Sequence, residues 1–302
     1  MKSLFILWIC GILFCSNAAI AGDMSVDKMM SFADSLFAQG DYYRAITEYE
    51  RVIFFYPDDS LAKAARFQIA ESYFRGERFD QAIAQFGSLA HDYPNDEVGI
   101  KSLLRVGEVF YQKRDYEHAT EAFIKFIGTY PNDTRDDAAR LKLGWSYLRQ
   151  RDWTQAEEEF RKLPAESPLH SKAEGLAEEA KHYPDIPKKS PGLAGGLSTI
   201  LPGTGQLYIG KPGDALISFL LNGSFIWATA ESFQHNNNAT GGILLFFEAG
   251  WYLGNIYNAV NGAYKYNDRL EQRFMDNLHN RFDFSYYYDG HGRNMMAFNL
   301  KF

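Results

Sequence analysis

An all-α chain in two dissimilar halves is predicted for these 302 residues. The first half reads as an α-solenoid of four helix pairs. The second reads as a two- or three-helix membrane domain followed by a short C-terminal β-hairpin. Three observations carry this. One 37-residue interval separates Ala45, Ala82, Ala119 and Ala156, and the same interval separates Pro57, Pro94, Pro131 and Pro168. Charged residues are then absent from Pro191–Gly210 and from Ala215–Ala230, and Glu248 is alone within Gly241–Tyr264. Finally, Phe282, Phe284, Tyr286 and Tyr288 alternate with other residues, as do Phe298, Leu300 and Phe302.

Taken from the start, residues 1–21 have the form of a signal peptide. Lys2 opens it, Leu4–Phe14 is apolar, and Ala19-Ile20-Ala21 is a small-x-small cleavage site before Gly22. Both cysteines, Cys10 and Cys15, fall inside it. Large Phe14 before Cys15 argues against a lipid-attachment site. Removing the signal leaves no cysteine, which excludes disulfides, a thiol nucleophile and thiolate metal sites from the remainder. A net charge of −7 offers no basic face for nucleic acid.

Residues 24–168 hold four repeats. Tyr42, Phe79, Tyr116 and Trp153 precede each marker alanine by three residues; Tyr49, Phe86, Phe123 and Phe160 follow it by four. Ala33, Ala70, Gly107 and Gly144 recur one helix earlier. Small residues beside aromatics at helical spacing predict two helices pressed together, with the ring seated where the small side chain leaves room. Tyr-Pro-(Asn/Asp)-Asp connectors at Tyr56, Tyr93 and Tyr130 stop one helix and cap the next. The fourth repeat departs, with Pro164 and Pro168 predicting a shorter second helix. Residues 169–183 predict a single capping helix, ended by Pro184, and 184–190 a linker.

This register resembles the tetratricopeptide repeat. Its period resembles in particular the exported tetratricopeptide modules of bacterial envelope-assembly proteins, including the outer-membrane assembly lipoprotein BamD, although the lipid-attachment signal is missing here. The resemblance implies a concave groove lined by the first helix of each repeat. It carries a binding role onto Asp34, Glu71, Glu108 and Trp145, then Phe37, Phe74, Tyr111 and Leu148, then Arg75, Gln112 and Arg149. An acidic row beside an aromatic row suits an extended peptide with basic and apolar side chains. The alternative is that the aromatics fill the interhelical core and the acids form a solvated face.

Residues 191–267 are expected to form the membrane domain. Pro202-Gly203-x-Gly205-Gln206-x-Tyr208-x-Gly210 resembles the signature of small bacterial membrane domains and, distantly, the two-helix TM2 domain. The glycines permit positive φ and close approach, and Pro202 breaks any straight span. The segment either enters the bilayer and turns back or packs under the two later helices. Asn222, Glu248 and Asn255 are polar groups at apolar depth, expected to face one another or a neighbouring subunit, so a homo-oligomer through these helices is open. Gly250 and Gly254, four apart, are expected to allow a close helix crossing. Glu248 also invites an ion-path reading, with structural packing the alternative. The loop Glu231–Thr240 has no Lys or Arg, whereas Lys211, Lys265, Arg269 and Arg273 flank the pair. Retaining that bias with an exported solenoid requires three spans rather than two. The tail, 268–302, resembles a terminal outer-membrane strand, leaving inner and outer membrane both open, with the upstream helices favouring the inner.

No nucleophile elbow, phosphate loop, metal spacing or paired acid is present in the sequence. The expected function is a non-enzymatic envelope scaffold without cofactor, binding a protein or peptide and tethered to the lipid bilayer. A channel, transporter or insertion factor with the repeats as recruiter is the alternative, as is an outer-membrane assembly factor.

Overall fold

A computed structural model of the chain describes residues 25–131, 133–282, 285–288 and 294–297. The predicted signal peptide with Cys10 and Cys15, the hairpin bend Asp289–Gly292, and Phe284, Phe298, Leu300 and Phe302 lie outside the described residues. The chain divides into two compact units, Met1–Lys181 and His182–Phe302.

The first unit is all helical. Four pairs run α1 (Val26–Ala38) and α2 (Tyr42–Phe55), α3 (Ser60–Arg75) and α4 (Phe79–Asp92), α5 (Glu97–Gln112) and α6 (Tyr116–Thr129), α7 (Asp136–Arg149) and α8 (Trp153–Arg161). The connectors act as their chemistry dictates. Asp59 and Asp96 cap α3 and α5 by accepting the Leu61 and Val98 backbone N–H at 2.8 and 3.0 Å. Within each repeat the turn residue is left-handed: Gly40 (φ 80°), Glu77 (58°), Arg114 (65°) and Arg151 (66°), again at the repeat interval. Only the first uses glycine, the residue without a steric penalty there. Arg114→Gly is therefore expected to raise stability by about 0.5 kcal/mol in urea denaturation.

Tyr49, Phe86, Phe123 and Phe160 are fully buried, each in its own repeat. A Cβ added at Gly107 would stand 2.7 Å from the Phe123 ring, and one at Gly144 would stand 2.3 Å from Phe160. The small residue thus makes the space its ring fills, within one repeat. Helix α8 has nine residues where α2, α4 and α6 have fourteen. Helix α9 (His170–His182) closes the array, burying Ala173, Leu176, Ala177 and Ala180 on one helical stripe. Arg161 of α8 clasps it through Glu174 and Glu178 at 2.9 and 3.2 Å.

The second unit holds α10 (Pro191–Ile200), α11 (Thr204–Tyr208), α12 (Pro212–Gln234) and α13 (Asn238–Phe282). Two short strands, Ser285–Tyr288 and Asn294–Ala297, pair antiparallel, with Ser285 opposite Ala297.

The expectation of two or three membrane spans is corrected here. Among the described residues, no helix is long and apolar enough to cross a membrane. Residues 191–210 are broken at Leu201–Gly203 into helices of ten and five residues, so the third span does not exist. In α12 the uncharged stretch is only Ala215–Ala230 and contains Asn222 and Ser224; in α13 Glu248, Asn255 and Asn258 interrupt the apolar run. The close crossing expected at Gly250 and Gly254 is also absent, since a Cβ at either position meets open space. Close approach falls elsewhere: a Cβ at Gly241 would meet Phe233 at 2.8 Å, and one at Gly262 would meet Ile209 at 2.3 Å.

Candidate functional site

The inner face of the solenoid is built from its first helices, because α1 contacts α3, α3 contacts α5, and α5 contacts α7. The three sequence rows fall on this face in different states. In the acidic row, Asp34 is exposed and accepts the Tyr49 hydroxyl at 2.7 Å. Glu71 is buried beside Arg105, whose Nε stands 2.6 Å from its Oε1. Glu108 is bound by Arg105 and by Lys142. Trp145 is buried. Glu71 and Glu108 therefore do not form a free face for a basic peptide, while Asp34 stays exposed. They belong to a ladder, Glu71–Arg105–Glu108–Lys142, which ties α3 to α5 and α5 to α7.

The ladder perturbs its own members. Burial pushes the Glu71 carboxyl above the ordinary range despite the opposing charge of Arg105. Burial acts the same way on Glu108, but the charges of Lys142 and Arg105 outweigh it and hold that carboxyl at about 2. Sequence inspection missed Arg105 and Lys142. The signal was present, because Gln68, Arg105 and Lys142 keep the same repeat interval.

The aromatic row braces the corners between paired helices. Phe37 packs edge-on against Tyr42 at 5.4 Å between centroids, Phe74 against Phe79 at 6.3 Å, and Tyr111 against Tyr116 at 5.3 Å. All three remain half-buried, while Leu148 is closed off. Burial raises the Tyr111 hydroxyl, and a hydrogen bond from Arg149 opposes the rise. In the last row Arg75, Gln112 and Arg149 are exposed beside the half-buried aromatic row.

The glycine signature of the second unit is a structural knot. Pro202 ends the segment after α10, and Gly203 adopts φ 94°, with a Cβ there 2.3 Å from the Ala215 carbonyl oxygen. Gly205 lies against α10 and α13, its notional Cβ 2.1 Å from the Ala194 carbonyl oxygen and 2.7 Å from Ala259 Cβ. Gln206, fully buried, donates through Nε2 to the Asn255 side chain at 2.6 Å and its backbone carbonyl at 3.0 Å. Its Oε1 accepts the Ser198 hydroxyl at 3.2 Å. The Tyr208 hydroxyl accepts the Ser190 N–H at 3.0 Å, and Gly210 (φ 79°) turns the chain into α12. Of the two sequence readings, the segment packs under the later helices. Asn267, which sequence reading passed over, clamps the backbone of Lys189 in both directions at 2.8 and 2.9 Å.

Asn222, Glu248 and Asn255 are all buried. Asn222 donates to the Ser218 carbonyl of its own helix at 2.7 Å. Asn255 meets Gln206, and neither Glu248 oxygen has a hydrogen-bond partner among the described residues. Desolvation raises the Glu248 carboxyl above its ordinary range. A raised acid is a stability contribution lost as pH rises through its folded value. Glu248→Gln is thus expected to stabilise the second unit by about 1 kcal/mol near pH 8 and to leave it unchanged near pH 4, in urea denaturation at both pH values.

The array of the first unit is a tetratricopeptide-repeat solenoid, the class of fold used for protein–protein interaction. The tetratricopeptide repeat family model matches residues 30–97 and 104–171. No curated protein matches the chain. Among solved structures, a tetratricopeptide repeat protein from Parabacteroides merdae ATCC 43184 is 13% identical, with a TM-score of 0.43, covering 84% of this chain and 98% of that one. The nearly identical TPR-like repeats of a kinesin light chain from Podosopora anserina are 12% identical, with a TM-score of 0.41, covering 52% of this chain and 86% of that one.

Proposed function

We propose that the chain is a non-enzymatic scaffold of a bacterial cell envelope. In this reading its repeat array is exported and holds a protein or peptide along the inner face, while the second unit anchors it. The observation that carries the binding role is the exposed row Arg75, Gln112 and Arg149 beside the half-buried rings of Phe74 and Tyr111. Fixed side chains on packed helices present these groups at one spacing per repeat, which suits an extended segment better than a compact surface.

Site-specific photo-crosslinking tests it. Probes at positions 75, 112 and 149 are expected to trap a common protein in the native envelope. Probes at Glu50 and Lys125, exposed on the second helices α2 and α6, are expected to give little of that adduct. Equal trapping from both sets would overturn the inner face as the binding surface.

A further inference from the structure

We infer that the outside of the α12–α13 hairpin is a lipid-seating surface, covered by the acyl chains of one membrane leaflet. This rests on the anchoring role given to the second unit. The hairpin is sorted in the reverse of a water-facing one. Large apolar side chains stand outside, with Trp227 68% and Phe246 76% exposed. Of the polar ones, Asn222, Thr229, Glu248 and Asn255 are buried, while Ser224 and Asn258 are exposed. A helical pair surrounded by water buries its apolar stripe and exposes its polar one.

The geometry also selects the occupant. At 3.6 residues per turn, the exposed Leu216, Leu221, Ile226 and Trp227 cover an arc of about 220° on α12. Leu245, Phe246 and Phe247 cover an arc of about 200° on α13. A protein partner or a second copy meets one face of a hairpin. An apolar surface wrapped around both helices matches a medium that closes around it. The ends fit as well. Lys265 and Arg269 are exposed where α13 leaves the apolar stretch, placed for headgroup phosphates while their stems follow the chains.

Of the inward polar groups, Asn222 Oδ1, Thr229 Oγ1, Asn255 Nδ2 and both Glu248 oxygens have no hydrogen-bond partner among the described residues, but all are buried away from the surround. Gln206 is satisfied internally by Asn255 and Ser198, and a group satisfied inside the protein asks nothing of the solvent. The uncharged stretch of α12, Ala215–Ala230, measures about 24 Å at 1.5 Å per residue, against roughly 30 Å of hydrocarbon in a bilayer. The seating is therefore a tilted insertion into one leaflet and not a crossing, in keeping with the absence of any spanning helix among the described residues.

Co-flotation of the full chain with vesicles of equal parts phosphatidylcholine and phosphatidylglycerol tests this, against the double variant Leu220→Glu with Trp227→Glu. Both side chains are exposed, so circular dichroism is expected to be unchanged. The wild-type chain is expected to float, and the variant's partition to fall by about a hundredfold. The first 24 residues are common to both proteins, so the difference belongs to the hairpin. As a second readout, bromine-labelled acyl chains are expected to quench the fluorescence that Trp227→Phe removes. Equal flotation of wild type and variant would overturn the inference. So would a wild-type chain that ignores vesicles and crosslinks to itself from position 227, which assigns the surface to a second copy. Either result leaves the inner-face reading standing, because that is read from crosslinks at positions 75, 112 and 149.

Discussion

Arg105→Ala is expected to lower the stability of the repeat unit by about 3–5 kcal/mol, measured by urea denaturation at neutral pH. Arg105 sits between Glu71 and Glu108, and its loss leaves two carboxylates facing each other in a buried site. Lys142 still holds Glu108, and Glu71 is left with the weaker charge of Arg75. The size of the effect reflects the stranded charges more than the worth of the original pairs. Arg105→Met combined with Glu71→Met is accordingly expected to recover most of the loss.

The pH dependence carries its own sign. Glu108 has a folded value near 2, below its ordinary value, so its contribution is complete above the unfolded value and drains away as pH falls toward 2. Glu71 is shifted the opposite way, taking up its proton first and partly offsetting that drain. In Arg105→Ala both carboxylates gain from protonation. The gap between variant and wild type is expected to narrow as pH is lowered from neutrality toward the acid limb, and a gap that widened there would refute this account of the ladder.

Gly205→Ala is the second large effect, an expected loss of about 3 kcal/mol or more confined to the second unit. A methyl there meets the Ala194 carbonyl oxygen at 2.1 Å, the Ser198 hydroxyl at 2.3 Å and Ala259 Cβ at 2.7 Å. One of these is backbone and cannot swing aside, and Ser198 is itself committed to Gln206. Hydrogen exchange is the measurement of choice. Protection is expected to collapse across α10–α13 and to persist in α1–α9. Gly250→Ala and Gly254→Ala are the controls, since both sites open onto space within a helix and alanine there is expected to add about 0.5–1 kcal/mol each.

The repeats were legible because their determinants are local and recur. A small residue, its ring and a proline-aspartate connector can be read without knowing what lies across the interface. The groove acids were misread for the opposite reason. Lys142 reaches Glu108 from 34 residues away, and only the relative setting of two repeats brings them together. The acidic row lies on the first helices, and two of its members, Glu71 and Glu108, are paired within the protein by Arg105 and Lys142. In the second unit, counting uncharged residues gave spans where the backbone makes a knot. Hydropathy does not register the left-handed turn at Gly203 that divides α10 from α11, nor that Gln206 donates to Asn255. The glycines of the signature carried that information; Gly250 and Gly254, which attracted the packing argument, touch nothing.

The ladder has a mechanical corollary. It rivets the second repeat to the third and the third to the fourth, but at the first junction the cation's place is taken by Gln68, and Asp34 is engaged by Tyr49 inside its own repeat. That junction is held instead by apolar packing, because Ala65 and Ile69 of α3 share one buried cluster with Ala33 and Leu36 of α1 and Tyr49 of α2, so it carries none of the ladder's dependence on carboxylate charge.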